Sequence, residues 1–313
     1  HLHHPEILVE RRLSSALLVA ALFLGYSLVA RIAGKKLVWT IHEVDPARRY
    51  PLTHPLLWCM RKLTNAYVFM NRSSENGFFN QYPEEHRKIV WRIPHSSYPV
   101  TKMSTAHRDE VRAALTQGTD CLMIGFLGEI RPYKNPDALQ YLPTTNGAGR
   151  PVRLVTAGVF HATCDVKQME AIFRAIQPDR LVRMEERLSD KRLSELIQAI
   201  DVIFLPYLRG WNSGFAMLAL GCGARLLCSD LPLFREIEET LGRPWIYVFN
   251  HTAVDLSEEL ATAVARVSND NPNASDQLRL EEFLAARSFD FAALEYARLY
   301  SNLRSGSMPK TKG

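Results

Sequence analysis

The stretch "GFLGEIRPYKN", Gly125 to Asn135, places two cations, Arg131 and Lys134, just beyond an apolar run that ends at Gly128. Arginine grips phosphate oxygens with two parallel bonds and lysine supplies a point charge. A glycine lets the backbone turn and approach a ligand closely. This set suits a diphosphate, and a solvated surface loop is the other reading of the same residues. A second stretch, "LRGWNSGFAMLALGCG", Leu208 to Gly223, sets Asn212, Ser213 and Gly214 in front of an apolar helical run. The N–H groups at a helix start lack intrahelical partners, and the helix dipole favours an anion there. Gly214 has no side chain to block approach, and Ser213 has a hydroxyl to donate. A plain N-cap explains a lone Ser-Gly; two such stretches, each following a strand, favour a phosphate.

A third group can move protons. In "WTIHEVDP", His42 and Glu43 follow an apolar run, and in "HLHHPE", His3, His4 and Glu6 follow another. An imidazole or carboxylate in such a place can take the proton of a sugar hydroxyl as general base, so His42, Glu43 and Glu6 are the candidate catalytic residues. A structural histidine is the competing reading. His1, His3 and His4 lie on an extended segment, which puts only two imidazoles on one face, so no metal site is expected.

These residues need strands to carry them. Apolar runs of strand length alternate with helical patterns. In the first half the runs are "KLVWTIH", "AYVFMN" and "KIVWRIPH", with Leu56, Leu57, Met60 and Leu63 on one helix face between the first two, and Ser73 or Ser74 as the cap of a following helix. In the second half they are "CLMIGFLG", "VRLVTAG", "RLVRM", "VIFLPY", "ARLLCS" and "WIYVF", with helical patterns around 166–176, 189–200, 213–221 and 256–267. Such alternation implies parallel sheets with helices on both faces, and strands apolar throughout imply sheets buried on both sides. The expected fold class is therefore α/β, with two doubly wound Rossmann-like domains facing a cleft. The polar stretch 96–105 reads as the linker, and a last helix carries Phe291, Leu294, Tyr300 and Leu303 at helical spacing.

Composition sets bounds on function. The 313 residues suffice for two domains, and 47% hydrophobic with 23% charged residues is globular. A net charge of +5 suits an anionic small ligand or an anionic membrane face, and nucleic acid is not expected as a partner. The five cysteines, Cys59, Cys121, Cys164, Cys222 and Cys228, show no CxxC spacing and read as reduced thiols of a cytoplasmic protein. From Leu13 to Ala30 no residue is charged, while Arg11, Arg12, Arg31, Lys35 and Lys36 flank the run. It falls short of the roughly 20 residues of a typical span, so it reads as a buried or membrane-facing helix of a peripheral protein at the inner membrane face. P-loop, HExxH, G-x-S-x-G and GxGxxG motifs are absent, which counts against a dehydrogenase or epimerase.

"GEIRPYKN", "LPYLRGWNSGFAMLALGCG" and "SDLPLFREI" resemble the donor-binding half of GT-B glycosyltransferases of the family 4 type. "HLHHPE" and "VWTIHEVDP" resemble the acceptor half of the branch that includes the β-mannosyltransferase of xanthan assembly. The resemblance runs from His1 to about Tyr300. It implies an acceptor domain over 1–100, rejoined by a final helix over 289–304, and a nucleotide-sugar domain over 101–288. It implies that Gly128, Arg131, Lys134, Asn212, Ser213 and Gly214 hold the donor diphosphate. It also implies hexose transfer, such as mannose from GDP-mannose, to a lipid-linked oligosaccharide or polysaccharide precursor, with no cofactor and no metal.

The sequence also departs from that pattern. Gly210 and Leu218 stand where common family 4 members carry two glutamates, Glu129 stands where many carry arginine, and Glu43 and Ala47 replace an asparagine and a histidine. The branch has a first strand and glycine-containing loop ahead of the "HLHHPE" motif, so the resemblance implies an incomplete N-terminal domain here. The competing function is a non-catalytic binding or assembly subunit of a polysaccharide pathway.

Overall fold

The computed structural model describes residues 1–3, 13–43 and 53–305. Its contacts divide the chain into one unit of residues 1–95 and 289–313 and a second of residues 96–288.

In the first unit, helix α1 (Leu13–Ile32) ends at Gly34, whose φ of +74° is the left-handed turn that glycine adopts without strain. The chain then enters β1 (Val38–Ile41), α2 (Thr53–Leu63), β2 (Ala66–Phe69), α3 (Arg72–Gln81) and β3 (Ile89–Arg92). The three strands pair in parallel in the order β1-β2-β3, and Leu2 bridges Trp39 in parallel on the far side of β1. Leu56, Leu57 and Met60 are buried on α2 as expected from their spacing. The cap of α3 differs from expectation. Asn71, not Ser73 or Ser74, is the N-cap, and its side chain accepts the Ser74 N–H at 2.6 Å. The chain leaves β2 at Phe69, so the helix starts before the serines and encloses them.

The second unit contains α4 (Thr105–Thr116), β4 (Leu122–Leu127), β5 (Val152–Ala157), α5 (Val166–Ala175), β6 (Leu181–Met184), α6 (Asp190–Ala199), β7 (Val202–Leu205), α7 (Gly214–Gly221), β8 (Arg225–Ser229), α8 (Pro232–Leu241), β9 (Ile246–Phe249), α9 (Leu256–Asn269) and α10 (Ala274–Ala285). All its strands are parallel, in the order β6-β5-β4-β7-β8-β9. Chain order reverses between β4 and β7, and in doubly wound sheets ligands bind beyond the carboxyl ends of the strands at that switch point. Period-two alternation divides the core. Leu122, Ile124 and Phe126 face one apolar cluster, Met123 and Leu127 the other. Gly125 lies between the latter two, where a Cβ would come within 2.9 Å of the tip of Ile200, just past α6, so a larger residue would push that side chain aside.

The stretch after β3 carries no regular structure and lies on the second unit. Ser97 N–H bonds to the Arg287 carbonyl at 2.7 Å, and Met103 N–H to the Gln198 side chain at 2.9 Å. The last helix, α11 (Phe289–Ser305), belongs to the first unit. Its buried face is Ala292, Leu299 and Leu303, packed with Val38, Ala66 and Val68. Leu294 and Tyr300, expected on the inner face, are exposed instead. Smaller Ala292 lets the helix lie close to the sheet, and Trp91, donating to Glu295 at 2.9 Å, sets that rotation.

Asp201 ties the sheet together where β7 begins. It accepts two bonds from Arg112 of α4, at 2.9 and 2.8 Å, and one from the Met123 N–H of β4 at 2.8 Å. Removing it strands an arginine and a strand N–H at once. Asp201→Ala is therefore expected to cost about 2–3 kcal/mol, read as a lower urea midpoint at unchanged m-value.

Candidate donor site at the strand switch point

β4 and β7 bring the two stretches expected to bind phosphate to one place. After Leu127 the chain turns at Gly128, whose φ is +86°, while its N–H bonds to the Ala157 carbonyl at 2.8 Å. Ile130 then pairs with the segment after β5: its N–H reaches Val159 at 2.9 Å and its carbonyl accepts the His161 N–H at 2.9 Å and the Cys164 thiol at 3.1 Å. Gly158 allows this. A Cβ there would sit 2.1 Å from the Gly128 carbonyl oxygen. A short 3₁₀ turn over Pro132–Lys134 follows, and the Tyr133 carbonyl accepts the Leu208 N–H from the loop after β7 at 2.8 Å. Tyr133 and Tyr207 meet edge to face at 5.6 Å. The loops after β4, β5 and β7 thus form one bonded surface.

Lys134 curls back over this surface. Its Nζ lies 3.6 Å from the Cβ position that Gly128 leaves empty and 5.8 Å from the ring centroid of Phe215, in the first turn of α7. Among the described residues it makes no hydrogen bond or ion pair. Burial, then the neighbouring Arg131 charge, pull its pKa down to about 8, against a smaller opposing effect from Glu129. A desolvated ammonium beside the start of a helix is poised for an anion.

At that helix start, Ser213 is the N-cap. Its Oγ accepts the Ala216 N–H at 3.1 Å, and its hydroxyl also shares a hydrogen bond with Tyr207. The capping role considered from the sequence is real, and the hydroxyl is already engaged. The Gly214 and Phe215 N–H groups have no intrahelical partner. Asn212, just ahead of the cap, is half-buried.

Arg131 is positioned differently from its expected role. Glu129 holds its guanidinium, with Nε to Oε2 at 2.7 Å and Nη2 to Oε2 at 2.6 Å, both side chains part-exposed. Burial raises the Glu129 carboxyl, but bonding and charge from Arg131, with smaller help from His161 and Lys134, outweigh it and hold it below its ordinary value. Arg183, at the end of β6, is bound by Glu170 at 3.0 and 2.5 Å and lies over the Phe173 ring at 4.5 Å, while Glu185, Glu186 and Arg187 beyond it are exposed.

The acceptor candidates lie on the first unit. His42 follows β1 directly, and its Nε2 is 3.0 Å from Nδ1 of His3. His1 reaches Thr40 Oγ1 and the Tyr300 hydroxyl, each at 2.7 Å. Glu43 is exposed. Glu6 and His4 lie outside the described residues. His42 is grouped with the "HLHHPE" segment in the sequence and meets it in the fold, whereas Phe215, Tyr133 and Tyr207 carry no sequence signal as site residues, and the only signal for Gly158 is a glycine ending a strand. Among the described residues, no group of three or more His, Cys, Asp or Glu side chains is arranged to hold a metal. All five cysteines are free, with Cys121 and Cys228 buried.

No protein-family model matches the sequence, and no curated protein matches it. Solved structures do resemble it. Anabaena HepE in complex with UDP superposes with a TM-score of 0.69 at 14% identity, over 91% of this chain and 77% of that one. Sucrose-phosphate synthase from Thermosynechococcus elongatus gives 0.64 at 15% identity, over 90% and 72%. The UDP-forming trehalose-phosphate synthase of Burkholderia vietnamiensis gives 0.61 at 16% identity, over 90% and 72%. These neighbours are GT-B glycosyltransferases. At such identity the likeness speaks for the fold alone, and the fold is GT-B, built from Rossmann-like α/β units.

Proposed function

We propose that this chain is a glycosyltransferase that moves a hexose from a nucleotide sugar to a lipid-linked oligosaccharide or polysaccharide precursor at the inner membrane face. One observation carries the proposal: the unpaired, desolvated Lys134 ammonium over Gly128 and beside the first turn of α7, at the carboxyl ends of β4 and β7. Cleaving a sugar–diphosphate bond leaves negative charge on the diphosphate. Preorganised cations and N–H groups at that spot stabilise the charge as it develops. Lys134 and the Gly214 and Phe215 N–H groups would do so, joined by Arg131 once a phosphate displaces Glu129. This makes the transfer metal-independent. His42, hydrogen-bonded to His3, is the candidate general base, with Glu43 and Glu6 as the other candidates. The mannose, the GDP moiety and the xanthan-type branch rest on the motif resemblance. UDP in complex with HepE makes uridine the competing nucleotide.

The Glu129–Arg131 pair favours a second reading, a subunit that binds a nucleotide or sugar without catalysis, because it occupies one of the two cations. Titrating GDP and UDP into the protein by calorimetry tests the donor site, and the absence of binding by either at millimolar concentration would refute it. Lys134→Met should weaken nucleotide binding about tenfold to a hundredfold, the equivalent of ~1.5–3 kcal/mol. The same variant should melt a few degrees higher without ligand, since it removes a charge held out of water. Between pH 8 and about 10.4 the unfolded chain keeps a proton that folded Lys134 has lost. Stability of the unliganded protein should therefore rise across that window, while nucleotide affinity falls. Glu129→Gln should free Arg131 and tighten binding severalfold; unchanged affinity would remove Arg131 from the site. His42→Ala should leave nucleotide binding intact and lower transfer to a lipid-linked acceptor at least a hundredfold. Nucleotide binding without transfer in the wild type would decide for the binding subunit.

A further inference from the structure

Helix α1 presents its larger apolar residues outward. Among its described side chains Ala20 and Ser27, at 8% and 1% exposure, are buried and Val19, Phe23 and Leu24 half-buried, whereas Leu17, Leu18, Leu22, Tyr26, Leu28, Val29 and Ile32 are half or more exposed, up to 76% for Tyr26 and 79% for Ile32. At about 100° per residue these positions fill a continuous arc of about half the helix circumference. On its other side α1 packs against α2. A contiguous apolar face of this size marks an interaction surface.

We propose that this face of α1 is a docking surface for an anionic lipid bilayer, with the helix lying in the interface. The charge pattern selects that occupant. From Leu13 to Lys36, and again along α2, there is no acidic residue, while the half-exposed Arg31 and the exposed Lys35, Lys36 and Lys62 are basic; Arg61 is buried against Glu85 and takes no part. Two copies apposed through such faces would bring like charges together, whereas anionic headgroups neutralise them. Tyr26, on the apolar arc, and Trp58 of α2, which is 55% exposed beneath the Lys62 ammonium, have the amphipathic rings that settle at headgroup level. Among the described residues no helix is long and apolar enough to cross a membrane. The inference deepens the proposed function and rests on it for its purpose: the surface would bring the chain to a lipid-linked acceptor.

The full chain is centrifuged with vesicles of mixed phosphatidylglycerol and phosphatidylcholine and, separately, with pure phosphatidylcholine. The expected result is binding to the anionic vesicles, weakened by salt. A Leu22→Glu, Ile32→Glu double variant should reduce it at least tenfold, and Lys35→Ala with Lys36→Ala severalfold, while GDP and UDP affinities stay unchanged. Absence of binding by the wild type, or binding indifferent to both double variants, overturns the inference. So does a wild-type dimer in light scattering that the glutamate variant dissociates, which would make the face a contact between copies. Because nucleotide affinity is measured on the same proteins, loss of the donor site and loss of the lipid surface read out separately.

Discussion

A half-buried ammonium group with no carboxylate paired to it costs stability, and the loops after β4 and β7 hold Lys134 in that position. Lys134 is kept there by the empty Cβ position of Gly128, by the Phe215 ring and by the turn that begins at Pro132. Each depends on something further away. Gly128 can take its conformation because Gly158 has no side chain to strike its carbonyl. Phe215 is in place because Ser213 starts α7 there. The two loops stay together because Tyr133 accepts a bond from Leu208. All of this requires β4 and β7 to be neighbours, which is a property of the strand order and of no single residue.

The Glu129–Arg131 pair shows how the same loop limits its own strength. An exposed pair of this kind contributes at most about 1 kcal/mol, so a diphosphate with two or more charges competes with Glu129 effectively. Lys134 has no such competitor, which makes it the stronger of the two cations toward a ligand.

The first unit obeys a different logic. Its short parallel sheet buries β1 and β2 completely, and the polar contacts gather beyond and beside β1, where His42 meets His3 and His1 meets Thr40 and Tyr300. Two imidazoles at hydrogen-bond distance divide their roles, one donating and the other accepting. On another part of this unit, α1 keeps seven large apolar side chains half or more exposed along one arc, which a monomer's own core does not cover.

Much of this was legible in the sequence because it is local. Apolar runs four to six residues long, separated by helical periods, marked every strand from β4 to β9, and the residues after those strands marked the candidate site. Helices α4, α8 and α10 were not singled out, since their polar faces interrupt the apolar pattern. The start of α3 was misplaced onto the serines because the cap depends on where β2 lets the chain go. The inner face of α11 was misjudged because helical spacing admits several faces and only the sheet beneath selects one. The sequence by itself determined the alternation of elements, the glycine at Gly128 and the cap at Ser213, all set by backbone geometry over a few residues. The tertiary structure alone decided that Glu129 holds Arg131, that Lys134 is desolvated, that His42 meets His3, and which half of α1 faces outward. Those outcomes arise from contacts between residues distant in sequence or from side-chain directions, and neither spacing nor composition encodes them.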